Sequence, residues 1–360
     1  MFVTRKEALV LAVVALMATT GIAAGCSLIT SYDGFASSST APLGCGKEIP
    51  AQPPASTGGG DKTFVGTMSF IRFIDQDDAS TLGYDLDKLC TCPGKQACHS
   101  LQGAGKPCDV PAGTGVDNAG GAVLNQLNFG AGGDALTEKL RRGRSGLVVQ
   151  IKNFNGARDD ADVTVSLYNV VGVNGKTDGT GVADFKGSDE MIVADDSLLN
   201  VDTLGPKYTD LSAYVADGVL VASLDFPLRL EIPNPVIDAS SIVFVPMKTG
   251  HLIGKIETVG ASGLRMTDAQ FVGRITQAGI FEQLGRLGVC QDGGAFAGIK
   301  ESTCLALDLP TAPAMDGKDQ ACDALSLAIG VVVSPARLAG HAPVVDPPSL
   351  CGQEPAATCN

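Results

Sequence analysis

The sequence predicts a mainly β fold: an antiparallel β-sandwich, jelly-roll-like, with a small helical insertion and disulfide-stapled ends. Three observations predict it. Short runs rich in Val and Ile, bounded by Gly, Pro, Asn or Asp, fill residues 145–278. Helical stretches of ~10–15 residues do not separate them, which argues against a parallel sheet of alternating strands and helices. The 360 residues are 44% hydrophobic but only 18% charged, with 45 Gly and 19 Pro. That balance supports a real core and suits a loop-rich exported β protein.

The N-terminus comes first. Arg5 and Lys6 form a positive n-region, Ala8–Ala18 is an uncharged apolar run, and small residues end in Ala23-Ala24-Gly25 before Cys26. Residues 1–25 thus have the three parts of a secretory signal peptide, and the run falls short of the ~20 residues of a membrane span. Small residues directly before a cysteine resemble the lipobox of bacterial lipoproteins, although Ala23 stands where Leu is usual. The resemblance implies cleavage after Gly25 and lipidation (palmitate) of the Cys26 thiol. Ser27, where an Asp would retain the protein at the inner membrane, implies the outer membrane. The resemblance therefore places the protein in the bacterial cell envelope, lipid-anchored, with the membrane as partner. Residues 26–62 are dominated by Ser, Thr, Pro, Ala and Gly and read as a lipidated flexible tether.

The sandwich domain is expected over 63–333. Residues 63–74 form its first strand, with Phe64, Gly66, Met68 and Phe70 on one face and Val65, Ser69 and Ile71 on the other. A Cys-rich loop covers 90–108 and a helical insertion covers 117–142. In the insertion, Gly130–Gly133 separate two helices, Asp134 caps the second, Lys139, Arg141 and Arg142 form a solvated basic end, and Gly143 stops it. Six strand-like stretches follow to Thr276, Pro227 marking an edge or bulge. Residues 279–288 read as a short helix and Ala324–Val333 as the final, buried strand. A Pro-rich stapled tail occupies 334–360.

Eleven cysteines leave ten once Cys26 is lipidated. Five lie early (Cys45, Cys90, Cys92, Cys98, Cys108) and five late (Cys290, Cys304, Cys322, Cys351, Cys359). An even number in an exported chain reads as disulfides. Five per cluster cannot all pair internally, so full pairing requires a bridge between the clusters, which brings the first strand beside the last in one sheet.

Chemistry is sparse. A net charge of −13 excludes nucleic acid as a partner. G-x-S-x-G fails at its last position in both Gly143–Leu147 and Gly260–Leu264, and only His99, His251 and His341 could serve as a histidine base. Export favours disulfides over zinc at Cys90, Cys92, Cys98 and Cys108, and H-E-x-x-H does not occur. No cofactor is expected apart from structural calcium, whose candidates are Asp75, Asp77 and Asp78, with Asp159, Asp160 and Asp162. Asp85 and Asp87 extend the first acidic run. No catalytic residue stands out.

Two short motifs, Gly115-Val116-Asp117-Asn118 and Cys322-Asp323-Ala324-Leu325-Ser326, resemble elements of uncharacterised envelope lipoproteins of high-GC Gram-negative bacteria, a similarity that brings no activity with it. The function expected is a surface-tethered, non-enzymatic binding or structural role, with an envelope protein or glycan as partner. The alternative is a glycan-active hydrolase or glycan-binding module on a β-sandwich. It would need two carboxyl groups at glycosidase spacing, and the absence of Trp speaks against a sugar platform.

Overall fold

The structure, a computed structural model, describes residues 47–54, 60–73, 82–91, 97–100, 115–126, 133–234, 240–259, 263–344, 349–352 and 357–359. The signal segment, Cys26, Cys45, Cys92, Cys108, Asp75, Asp77 and Asp78 lie outside them. The chain divides into two units: Met1–Leu43, also outside the described residues, and Gly44–Asn360.

The elements in order are β1 (Lys62–Arg72), α1 (Ala119–Gln126), α2 (Gly133–Arg141), β2 (Leu147–Phe154), β3 (Asp160–Val173), β4 (Glu190–Ala194), β5 (Leu198–Asn200), β6 (Gly205–Pro206), β7 (Tyr208–Ala216), β8 (Val219–Ser223), β9 (Phe226–Pro233), β10 (Ser240–Val259), β11 (Gly263–Thr276), α3 (Gln277–Arg286), α4 (Gly294–Ala306), β12 (Ala324–Pro335) and β13 (Arg337–Ala342).

The chain is mainly β, but it is not the expected sandwich. Strands run in the order β3-β2-β1-β12-β11-β10-β8-β7, and β7 pairs back onto β3. The eight strands thereby close an antiparallel barrel. A sandwich leaves sheet edges; here the β3–β7 ladder, from Asp160 opposite Val215 to Leu167 opposite Tyr208, removes them. β3 is long enough to serve twice. Beyond Leu167 it leaves β7 and pairs with β4 from Val170 to Val173, and β13 adds to β4 in the one parallel pairing among the described strands.

Alternation sends every second side chain inward. Leu147, Val149 and Ile151 of β2, Val163, Val165 and Leu167 of β3, and Leu327, Ile329, Val331 and Val333 of β12 fill the interior. At Gly66 a side chain would collide with Val333 Cγ1 at 2.6 Å, so glycine lets that valine in. β1 departs from the simple pattern. A bulge between Met68 and Phe70 shifts its parity, so Phe70 is exposed and Ile71 is buried beside Phe64 and Met68.

The two barrel ends differ. At one, where β1 and β11 finish and β12 begins, the helices and the β9–β10 hairpin form a cap. β10 is a single strand where two were expected. Its first half, Ser240–Met247, pairs with β9, and its second half pairs with β8 and β11. β9 has β10 as its partner, so Pro227 sits on an edge strand, as anticipated. The insertion does form two helices, and Gly143 (φ +64) follows the second. Asp134 lies within α2 rather than at its cap. The basic run is not simply solvated. Lys139 and Arg144 each reach a carboxylate oxygen of Glu231 on β9 at 2.6 Å. Burial would raise the Glu231 carboxyl, but these two bonds outweigh it and hold the group below its ordinary value.

The expected 279–288 helix begins earlier, at Gln277, with Thr276 Oγ1 accepting from Gly279 N. α4 and β13 were not expected; β13 lies where the tail was drawn. Disulfides Cys290–Cys351 and Cys304–Cys359 tie the cap to the C-terminus. Cys98–Cys322 joins the early and late clusters across 224 residues, and Cys90 is also disulfide-bonded. β1 and β12 are hydrogen-bonded neighbours.

Candidate functional site

The two short motifs meet in space. Asn118 Oδ1 accepts from Ala328 N of β12 and from Gly121 N, which caps the first turn of α1. Ala119 N donates to Ser326 Oγ at 2.9 Å, and Ser326 Oγ donates to Asp308 Oδ2 at 2.5 Å. Asp323 Oδ1 accepts from Thr311 N. These polar residues therefore fasten α1 and the pre-β12 loop to the barrel wall. Asp308 is wholly buried, and burial pushes its carboxyl up to about 6 despite the Ser326 bonds.

Arg274 of β11 is the central pin of this region. Its guanidinium forks onto Asp316 at 2.7 Å through each nitrogen and donates to the carbonyls of Pro310 and Leu86. Only 1% of its surface is exposed. The bidentate geometry and satisfied donors are what a buried ion pair requires.

Of the calcium candidates, Asp159, Asp160 and Asp162 are among the described residues. Asp160 Oδ2 accepts from Asn155 N and its Oδ1 from Asp162 N, and Asp159 Oδ1 accepts from Asp217 N. Asp160 thus organises the β2–β3 turn, and Asp159 ties that turn to the β7–β8 turn. Among the described residues the carboxylates that do converge are Asp85, Asp87 and Asp117, all buried, with oxygens within 4.8 Å of one another. Carboxylate oxygens so spaced are a hard-cation donor set. They also serve the local backbone, since Asp117 Oδ2 accepts from Leu86 N and Asp87 Oδ1 from Leu89 N. Asp117 lies in the first motif, but 30 residues of sequence separate it from Asp87, and that distance hid the cluster.

The histidines are apart. His99 lies 3.5 Å from Asp319 and His341 Nδ1 lies 2.6 Å from Asp195. His251 Nδ1 sits 2.8 Å from Ser223 Oγ, and burial pushes its imidazole down. Asp210 is nearby, but its oxygens bind Ser223 N and Ser212 rather than the imidazole. The third member of a nucleophilic triad is therefore misplaced.

Two concavities stand out among the described residues. One, of about 100 Å³, lies where the barrel interior meets the helical cap. Its walls are Phe73 and Ile275 from the barrel, Leu230 and Val243 from the β9–β10 hairpin, and Val123, Leu124, Ile280 and Leu284 from α1 and α3. Two polar residues also line it: Gln283, whose Oε1 accepts from Phe244 N, and Thr303 of α4, whose Oγ1 is buried and has no hydrogen-bond partner among the described residues. The other concavity, about 710 Å³, opens at the opposite end. Among the described residues neither has a carboxylate on its wall. None of the described helices is long and apolar enough to cross a membrane. The disulfides mark a non-cytoplasmic protein. Comparison of the chain with protein-family models, with curated proteins and with solved structures returns no match.

Proposed function

We propose that this chain is a lipid-anchored binding protein of the bacterial envelope whose capped barrel receives a small apolar ligand bearing one hydrogen-bonding group. The observation that carries the binding role is the apolar cavity at the barrel mouth with the unpartnered Thr303 hydroxyl on its wall. Barrel mouths are recurrent ligand sites. A buried hydroxyl without a partner costs roughly 1–3 kcal/mol, and a ligand oxygen would recover that cost. The anchor rests on the signal anatomy and Cys26.

A series of straight-chain alcohols, followed by methyl NMR shifts of the purified protein, tests the cavity. Affinity should rise about fourfold per added methylene, at ~0.8 kcal/mol each, until the cavity is full. Ile280→Trp should abolish binding by filling the space. Thr303→Val should weaken all members alike, by roughly fivefold, because it removes one hydrogen bond and no volume. Affinity indifferent to chain length, or untouched by Ile280→Trp, overturns the ligand reading. Cys26→Ser expressed with its signal should leave the membrane fraction. If it sediments as the unaltered chain does, the anchor reading fails.

A further inference from the structure

The barrel end opposite the cap holds a groove of about 710 Å³, lined by the start of β1 (Thr63, Val65), by Gln150 and Lys152 of β2, by Lys186 and Thr203 in loops, and by Arg337 of β13. We infer that this groove binds a ligand through a phosphate-type dianion, with Lys152, Lys186 and Arg337 as its cationic contacts.

The argument begins with charge. Acidic side chains outnumber basic ones 39 to 26, yet among the described residues three cations and no carboxylate line this groove. Some basic groups elsewhere are committed, Lys139 and Arg144 to Glu231, Arg274 to Asp316, and Arg286 to Glu282, while others such as Lys318 stand singly on the surface. Among the described residues Lys152 and Arg337 form no ion pair, and Lys186 has only a loose one, 4.0 Å from Asp184, with both side chains well exposed. Such an exposed pair is worth little. Three like charges facing one concavity repel one another, and a dianion would relieve that repulsion.

The neutral walls suit the same ligand. The Tyr168 hydroxyl donates to Gln150 Oε1 at 3.2 Å, which turns the Gln150 amide nitrogen away from Tyr168 as a donor. Thr63 and Thr203 add hydroxyls, which a phosphate oxygen accepts from. Val65, Leu204, Pro335 and Leu338 provide an apolar floor for the body that carries the phosphate. A volume of this order holds a molecule of sugar-phosphate or headgroup size. The cations come from β2, a loop and β13, so the site exists only once β13 has docked on β4.

Pyrophosphate and lipid vesicles, titrated calorimetrically against the folded protein, test the inference and separate its two sources. Saturable binding of pyrophosphate indicates a soluble phosphate ester. Binding to phosphatidic acid vesicles, whose headgroup is a phosphomonoester, but not to phosphatidylcholine vesicles, with none to pyrophosphate, indicates a lipid headgroup. In either case Lys152→Glu with Arg337→Glu should weaken binding at least ~10-fold, since each removes a charge-assisted contact. Lys318→Glu, an exposed lysine near the cap and outside the groove, should leave it unchanged and controls for net charge. Unchanged circular dichroism checks that all variants fold. The inference is overturned if neither probe binds, if the double variant binds as tightly as the parent, or if Lys318→Glu weakens binding as much as the double variant.

Discussion

The two ends of the barrel solve opposite problems. At the capped end, apolar side chains of α1, α3 and α4 close over strand ends, and three disulfides hold the segments in place. Arg274, Asp308 and Ser326 there are buried and bonded to one another or to backbone, and Thr303 is the exception. At the far end the cations stand in solvent and the groove is roomy. A buried polar group needs its partners within the protein, whereas an exposed one can wait for a ligand. The capped end is therefore where substitutions should cost stability, and the far end is where they should cost binding alone.

Reduction of the disulfides should give the largest effect. Loops of 55, 61 and 224 residues are closed at the capped end, and each closure restricts the denatured chain by about 4–5 kcal/mol. On reduction, α3 and α4 should lose amide protection while β2 and β3 keep theirs, as read by hydrogen exchange. Simultaneous loss at both ends would show that the ends are one cooperative unit.

Arg274→Leu should come next. It leaves the Asp316 carboxylate and two carbonyls without their donor, at a cost of about 3–5 kcal/mol in urea unfolding. Adding Asp316→Leu should restore a good part of that loss. An equal penalty in the double variant would mean that the carbonyl bonds, not the ion pair, carry the effect.

Asp308 gives a pH signature of smaller size. Its carboxyl sits at about 6 in the fold against 3.8 ordinarily. A group raised by folding stabilises the fold below its unfolded value and loses that contribution as pH rises through its folded value. Stability should thus fall by about 3 kcal/mol across that window, at ~1.4 kcal/mol per pKa unit. Asp308→Asn should remove this component of the slope. A parallel pH profile in the variant would show that other groups set it. At the far end, Lys152→Ser should shift unfolding by no more than ~0.5 kcal/mol, because an exposed unpaired lysine stabilises nothing. A larger loss would mean that the groove also supports the fold.

Much of the β content was legible because β2, β3, β8, β11 and β12 are runs of branched apolar residues with clear ends. Closure was not. Inward and outward alternation is the same on a sandwich face and a barrel wall, and only the β3–β7 pairing distinguishes them. β13 escaped notice because Arg-Leu-Ala-Gly-His-Ala is short, exposed on alternate residues and has little branched apolar content. α4 contains Gly298 and begins after Gly293 without a side-chain cap, so the usual start signal is missing. The polar pin around Arg274 and the Asp85–Asp87–Asp117 convergence join residues distant in the chain. The apolar cavity is a seam between two cores, and no local pattern encodes a seam.

The position of β1 has a consequence in time. It lies between β2, its next strand in the barrel, and β12, which begins at Ala324. A chain that emerges N-terminus first can lay β1 on β2 early, but Gly66 cannot meet Pro335 until almost the whole polypeptide has appeared. Until then one edge of β1 offers unpaired backbone to any neighbouring strand. Cys98 is in the same position: it waits for Cys322 while Cys90, Cys92 and Cys108 are much nearer in sequence. A bridge formed early between Cys98 and one of those thiols would have to be exchanged, and exchange takes seconds to hours. Maturation of this protein is thus paced by the arrival of its last barrel strand, and an escort that shields β1 and reshuffles disulfides would shorten the wait.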